Sequence, residues 1–241
     1  MLDLASAGGQ EMLRRLICAG GPEGGILLTN VSGKPWLADE VLRQDRPDLI
    51  YAQLLGRPGG ASAVDYTINA SSGLAHATGP AAGPGPVNGA LPAWDLLAGS
   101  YTALAVLAAL RRRGSSGHGA LLQVSLEDVA MSTLTTLGFL PEAHLTGTSR
   151  PPLGNHVFGT FGVDLPLADG NSVMLVALTP RHWRSLVEAS GTCWRRPVRC
   201  GGWAGPGGMA DEAAPDEAAP ATAPRLGQHT DAVLAELDGP T

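Results

Sequence analysis

Residues 91–125, LPAWDLLAGSYTALAVLAALRRRGSSGHGALLQVS, decide the fold. An apolar run follows Asp95 and leads to three arginines at 111–113 and then Gly114, a pattern that predicts one long helix that stops at Gly114. We interpret these arginines as complementing the dipole at the helix end, in preference to an anion site. The apolar residues 120–125 predict a strand. A long helix that leads into a strand is typical of α/β proteins.

The residues before this stretch alternate between helix-like and strand-like segments. Helical spacing is visible in GGQEMLRRLICAG (8–20), and GGILLTN (24–30) is a short apolar strand. The same alternation repeats with a helix in KPWLADEVLRQD (34–45) and a buried strand in PDLIYAQLLG (47–56). This β-α-β rhythm predicts a parallel sheet covered by helices. A helix with irregular ends over 64–79 leads into the Pro/Gly-rich loop before Asp95.

The residues after the long helix predict four further elements. Residues 120–140 contain a strand followed by a helix, and residues 156–178 form a hairpin. The turn of the hairpin is placed at Asp169 and Gly170, because Asp-Gly is a strong turn signal between apolar runs. A helix over 179–191 begins at the cap residue Thr179 and ends at Gly191.

The end of the chain differs in character. Residues 193–223 are rich in Gly, Ala and Pro and show no apolar periodicity, so we expect a disordered or aberrant linker. The last segment, 224–241, contains a short amphipathic pattern.

Composition narrows the class of protein. The net charge is -6 and there is no basic stripe beyond 111–113, which argues against a nucleic-acid partner. Three scattered cysteines are too few for a disulfide framework or a zinc site, so no metal is expected. The apolar run over 96–110 is shorter than the ~20 residues of a membrane span. With no signal-peptide pattern at the first residues, we expect a cytoplasmic protein without a membrane partner.

Asp95 admits two interpretations. An Asp at the start of a helix commonly caps it by accepting a bond from a first-turn N–H. Alternatively, the helix N-terminus lowers the pKa of the carboxyl group and leaves N–H donors that stabilise charge on an acyl intermediate, with the carboxylate as nucleophile. The spacing of the residues alone leaves both open.

Several motifs in order resemble one known family. The stretch LPAWDLLAGSYTALAVLAALRRRGSSGHGALLQVSLEDVAM (91–131) is similar to the core of the class III CoA-transferases, the CaiB/BaiF family. LDLASAGGQEMLRRLI (2–17), DLIYAQLLG (48–56), the hairpin and PRLGQHTDAVL (224–234) resemble further family motifs. The resemblance implies a Rossmann-like parallel sheet with flanking helices, plus a hairpin-containing remnant of a small domain. It divides the chain into residues 1–150, 151–192, 193–223 and 224–241.

The resemblance also implies an activity. Asp95 occupies the position of the family's catalytic aspartate, which would form a mixed anhydride and then an aspartyl-CoA thioester. The substrates would be an acyl-CoA and a dicarboxylate, with no permanently bound cofactor and with a homodimer as the working form. Within the family, the match is closest to enzymes that move CoA from C1 to C4 of a 2-methylfumaryl group. Intermolecular transfer between an acyl-CoA and a free carboxylate is the alternative.

Four more residues match CoA-contacting segments of the family. Asn30 and Val31 lie where the family has an Asn-Phe pair near the adenine, although Val31 provides no ring for stacking. Asp65 and Tyr66 lie in the segment that contacts pantetheine. Ordinary loop and helix packing is the competing interpretation for all four.

Two rival interpretations accompany this assignment. Racemases of the family pair the aspartate with a histidine in a Gly-His-Asp segment, and here Val64 takes the place of that histidine. Proton transfer on two faces needs two titratable partners, which this segment does not provide. The second rival is an inactive member, truncated at its N-terminus and altered in the small domain after Gly191. In that case we expect little or no activity from the 241 residues.

Overall fold

The computed structural model describes residues 3–18, 21, 24–80, 83 and 85–191. These residues belong to one compact unit, residues 1–202. The elements before the long helix are α1 Ala7–Cys18, β1 Ile26–Thr29, a 3-10 turn Pro35–Leu37, α2 Asp39–Asp45, β2 Ile50–Leu55, a 3-10 turn Pro58–Gly60, α3 Asp65–Ser71 and α4 Leu74–Thr78. The remaining elements are α5 Ala93–Ser116, β3 Ala120–Ser125, α6 Leu126–Thr136, α7 Phe139–Thr146, β4 Phe161–Pro166, β5 Ser172–Ala177 and α8 Pro180–Ser190.

The predicted parallel sheet is confirmed. Its three strands lie in the order β1-β2-β3, with Ile26 opposite Ile50 and Ile50 opposite Ala120. The central strand β2 is the most buried, since Ile50, Tyr51 and Ala52 are almost inaccessible to solvent. A strand that is covered on both faces is mostly apolar along its length. Residues 49–55 show this pattern, which is why the sequence predicted a buried strand there.

Two apolar clusters cover opposite faces of the sheet. Tyr51 packs with Leu37, Leu42 and residues of α1 in one cluster. Leu54 contacts the other cluster, which contains Trp94 and Ala98 of α5 together with side chains of α3 and α6. Because side chains alternate along a strand, Tyr51 and Leu54 point to opposite faces. Helix α5 therefore lies on the Leu54 face of the sheet.

Helix α5 ends three residues later than the sequence predicted. It continues through Gly114 to Ser116 and stops at Gly117, whose φ of 72° is left-handed. The expectation of a stop at Gly114 was wrong because a glycine alone does not end a helix. The terminating residue must adopt positive φ, and here Gly117 adopts it and donates its N–H to the carbonyl of Arg113.

Two arginines at the end of α5 bind carbonyl oxygens next to strands of the sheet. Arg113 is buried and donates to the carbonyl oxygens of Gly24 and Gly25 at 2.9 and 3.2 Å. Arg112 donates to the carbonyl oxygen of Gly119 at 2.8 Å. These bonds give Arg112 and Arg113 a structural role, and the preference for a dipole interaction over an anion site stays a prediction.

Helix α5 is the one helix among the described residues that is long and apolar enough to cross a membrane, judged by length and composition only. Its 24 residues exceed the length expected from the apolar run. A core helix of a soluble protein passes the same criterion, and Trp94, Ala98 and Ala109 of α5 are buried within the protein. The absence of a membrane partner stays a prediction.

Paired substitutions test where α5 ends. Gly114→Ala places a Cβ with nothing within 4 Å, so we expect it to raise the free energy of unfolding by about 0.5–1 kcal/mol through helix propensity. Gly117→Ala forces a side chain into positive φ and should lower it by about 1 kcal/mol. Urea denaturation of both variants checks the signs, and equal effects at the two positions would contradict the observed boundary.

The hairpin and the helix that follows it form where short sequence motifs predicted them. Strands β4 and β5 pair antiparallel, and Gly170 turns between them with φ of 86°. In α8, the hydroxyl of Thr179 accepts from the amide of His182, and Gly191 ends the helix in a left-handed conformation. The hairpin and this helix were predicted with these same residues. The predicted boundary between 150 and 151 stays a prediction, and the predicted segments 193–223 and 224–241 lie outside the described residues.

Candidate active site at the start of helix α5

The carboxylate of Asp95 is exposed in the first turn of α5. Within the part of the chain that the structure describes, it takes part in no hydrogen bond or ion pair. Its own helix begins after Pro92, which has no side-chain cap. The interpretation of Asp95 as the cap of its helix is therefore wrong.

The cap of α5 comes from another helix. Asp65, the first residue of α3, is 3% exposed, and its Oδ2 accepts the amide N–H groups of Trp94 at 2.7 Å and Asp95 at 3.3 Å. A carboxylate at this end of a helix also complements the positive end of the dipole. Asp65 thus caps helix α5, which is the role that the sequence suggested for Asp95, and the side chain of Asp95 is exposed to solvent.

The other first-turn amides of α5 are also paired. Ala93 donates to the carbonyl oxygen of Leu91 at 2.8 Å, and Leu96 donates to that of Pro92 at 3.2 Å. The expectation that this turn leaves N–H donors for an acyl intermediate is therefore wrong. Donors for the developing oxyanion must come from groups other than these four amides.

The pKa of Asp95 moves opposite to the sequence expectation. Partial removal of water raises the pKa of its carboxyl group above the ordinary value of 3.8, and the nearby Asp65 carboxylate raises it further. A helix N-terminus alone would lower it. Here the amides that create the positive end are already occupied by a second negative charge. A more basic carboxylate is a better nucleophile, provided that it stays ionised.

The remaining predicted residues lie in two places. Tyr66 follows Asp65 on α3 and is 49% exposed. Asn30 and Val31 lie in the loop after β1, where both are exposed and the amide of Val31 donates to Thr29 Oγ1 at 3.0 Å. The tertiary fold therefore brings Asp65 to the start of α5, and Tyr66 is the next residue on α3. No described hydrogen bond joins the loop of Asn30 and Val31 to it.

A cavity of about 370 Å³ lies beside the loop after β1. Val31 and Lys34 line it together with Tyr51, Gln53 and Gln123, which share the sheet face opposite α5. Gln123 Nε2 donates to Gln53 Oε1 at 2.9 Å across the two strands. The sequence did not indicate these two glutamines. Side chains alternate between the two faces of a strand, so the sequence could place both glutamines on one face of the sheet, but this pattern does not identify a ligand.

The family of the chain follows from comparison with known sequences. The family model of CoA-transferase family III matches residues 1–199. The chain belongs to this family. Among the described residues no group of three His, Cys, Asp or Glu side chains is arranged to hold a metal ion.

The chain is similar in sequence to two curated proteins. The chain is 42% identical over 190 residues to 2-methylfumaryl-CoA isomerase of Chloroflexus aurantiacus, covering 79% of this chain and 46% of that protein. It is 29% identical over 160 residues to succinyl-CoA:mesaconate CoA-transferase of Haloarcula hispanica, covering 62% and 39%. The chain thus spans less than half the length of these relatives.

Solved structures share the fold of this chain. A CaiB/BaiF family protein from Brucella suis superposes with a TM-score of 0.64 at 22% identity, over 79% of this chain and 51% of the other. A hypothetical protein from Mycobacterium tuberculosis gives 0.59 at 24% identity, over 78% and 50%. These likenesses confirm the expected α/β fold over about half of each structure.

Stability as a function of pH tests the environment of Asp95. Its folded-state pKa is raised, so its contribution to stability is fully present below the unfolded pKa and is lost as the pH rises through the folded value. Asp95→Asn stays neutral throughout. We expect this variant to melt at a higher temperature than the wild type near neutral pH, with the gain vanishing below the ordinary Asp pKa. Thermal unfolding from about pH 3 to 8 measures the difference. A gain that grows toward acid would contradict the raised pKa.

Proposed function

We propose that this chain moves CoA between carboxylates through a thioester formed on Asp95. The observation that supports the proposal most directly is that two aspartates have separate roles at the start of α5. Asp65 caps helix α5, so the Asp95 carboxylate is exposed, carries no described hydrogen bond and has a raised pKa. Membership of CoA-transferase family III supplies the class of substrate, a CoA thioester.

The first half of the cycle transfers CoA to the enzyme. An Asp95 oxygen attacks the thioester carbonyl of the acyl-CoA, the C–S bond breaks, and CoA leaves as a thiolate. The thiolate then attacks the aspartyl carbonyl of the mixed anhydride. The anhydride C–O bond breaks, which releases the acid as a carboxylate and leaves an aspartyl-CoA thioester.

The second half returns CoA to a carboxylate. An acid carboxylate attacks the aspartyl thioester carbonyl and expels the thiolate, which then attacks the acyl carbonyl of the new anhydride. Asp95 leaves as a carboxylate, so the cycle balances without net uptake of protons or electrons. When the attacking carboxylate is the other end of the released dicarboxylate, the return step is effectively intramolecular and gains a large rate advantage.

We propose 2-methylfumaryl-CoA as the substrate, with CoA moving from C1 to C4. The proposal is supported by 42% identity to a protein named 2-methylfumaryl-CoA isomerase, although the chain covers 46% of it. Incubation with the C1 thioester, followed by chromatographic separation of the C1 and C4 isomers, tests this activity. Absence of any CoA transfer by soluble, folded protein, both in this incubation and after addition of a free dicarboxylate, would favour an inactive family member.

Intermolecular transfer is the second candidate. It is supported by the similarity to a protein named succinyl-CoA:mesaconate CoA-transferase. The same incubation with isotope-labelled free dicarboxylate separates the two modes. Intramolecular transfer leaves the C4 product unlabelled, whereas transfer to an external acid puts the label into the thioester.

We propose CoA contacts at Asn30, Val31 and Tyr66 and a homodimer as the working form. Asp65, the fourth residue predicted to contact CoA, is left out because it is 3% exposed and its carboxylate binds two amides of α5. Support for the contacts is the exposure of all three side chains. Support for the dimer is the apolar face of α5, where Leu96, Leu104 and Leu107 are each more than half exposed, since monomers rarely leave such patches uncovered. Sedimentation equilibrium tests the dimer, and a monomer at micromolar concentration would contradict it.

A further inference from the structure

Asp65 is more deeply buried than a ligand-contacting carboxylate requires. Asp65 is 3% exposed, and Trp94, whose amide it accepts, and Ile68 of its own helix both belong to one buried apolar cluster. Burying a carboxylate is costly unless hydrogen bonds compensate it. Its compensation comes from the amides of Trp94 and Asp95, at the turn that carries the proposed nucleophile.

The burial of Asp65 is not explained by the needs of its own helix. The start of α3 is held by Thr67, whose hydroxyl accepts the amide of Val64 at 3.0 Å and donates to the Val64 carbonyl oxygen at 2.8 Å. The carboxylate of Asp65 takes no part in that arrangement. Its described bonds go to α5, about thirty residues away along the chain.

We propose that Asp65 is a positioning residue for Asp95, fixing the first turn of α5 by binding its amides and so holding the Asp95 carboxylate outward for attack on a thioester. This inference rests on the proposed function of Asp95. Pro92, the residue before the helix, supplies neither a side-chain acceptor nor an N–H, so the turn depends on Asp65 for its cap. The charge of Asp65 acts in the same direction, because a nearby negative charge keeps the attacking carboxylate basic.

Two substitutions at Asp65 distinguish its role as a hydrogen-bond acceptor from the effect of its negative charge. Asp65→Asn keeps an oxygen that can accept the two amides but removes the negative charge. Asp65→Ala removes both. Asp164→Asn is the matched control, since Asp164 also accepts a side-chain hydrogen bond, from Asn155 at 3.0 Å, but belongs to strand β4 of the hairpin.

The readout is the rate of aspartyl-thioester formation on Asp95 in the full chain, measured against pH and against 2-methylfumaryl-CoA concentration. For Asp65→Ala we expect the maximal rate to fall about 10²-fold with little change in the half-saturating concentration, as for a misplaced reacting group. For Asp65→Asn we expect the pH midpoint of the rate to move to lower pH. The control should match the wild type in both.

Each outcome discriminates between explanations. Wild-type protein that forms no thioester on Asp95 contradicts the proposed function, and the inference falls with it. A wild type that reacts, with folded Asp65 variants that keep its maximal rate and pH midpoint, overturns the inference alone. A raised half-saturating concentration at unchanged maximal rate would overturn it in favour of direct pantetheine contact. If the Ala variant does not fold, the pH midpoint of Asp65→Asn still decides.

Discussion

Replacing Asp95 by Asn will lower the rate of CoA transfer by about 10³-fold or more, while the protein stays folded. An amide oxygen is a poor nucleophile, and neither the mixed anhydride nor the aspartyl thioester can form on it in the usual way. Stability should not fall, because Asp95 is exposed and caps nothing. The measurement is the initial rate of C4-isomer formation from 2-methylfumaryl-CoA, with circular dichroism to confirm folding.

The control for this loss is Asp169→Asn. Asp169 lies in the hairpin turn and its carboxylate accepts from the amide of Asn171 at 3.0 Å, a role that an Asn oxygen can also fill. It removes the same charge from the same length of side chain. Comparable losses of activity in both variants would show that net charge, rather than the Asp95 nucleophile, governs the rate.

Replacing Trp94 by Ala will lower the free energy of unfolding by about 3–5 kcal/mol. Trp94 is 3% exposed and packs in the cluster that joins α5 to α3, α6 and the Leu54 face of the sheet. Its loss leaves a large cavity in that cluster, beside the amides bound by Asp65. Urea denaturation monitored by far-ultraviolet circular dichroism measures the change.

The matched control is Leu104→Ala on the same helix. Leu104 is 65% exposed in the single chain, so at protein concentrations too low for the proposed dimer its truncation should change the free energy of unfolding by no more than about 0.5 kcal/mol. The pair tests which face of α5 lies in the core. A larger cost at Leu104 than at Trp94 would mean that the exposed face of the helix is the one held by packing.

Local signals were enough for the order and type of most elements. The hairpin turn at Gly170 and the two ends of α8 each depend on residues that are neighbours in sequence, so they could be predicted from short motifs. The end of α5 could not be placed in this way. Both Gly114 and Gly117 suit a helix stop, and the choice depends on where the arginines of the last turn find their partners, such as the carbonyl of Gly24.

The position of the candidate site was predictable, but its electrostatics were not. The pattern located Asp95 at the start of a long apolar helix, where the structure also finds it. The cap and the direction of the pKa shift depend on Asp65, a residue that only the tertiary fold brings to that turn. The preference for Asp at a helix start depends only on residues of that helix, so it predicted Asp95 rather than Asp65 as the cap of α5.

In the proposed mechanism the Asp95 carboxyl group becomes a CoA thioester during turnover. Borohydride reduces such a thioester to an alcohol and converts the aspartate into homoserine. We propose to quench the protein with borohydride after incubation with 2-methylfumaryl-CoA and to locate the change by peptide mass spectrometry. We expect homoserine at position 95, and none when 2-methylfumaryl-CoA is left out. Reduction at another carboxylate, or unmodified Asp95 in protein that is turning over substrate, would contradict it.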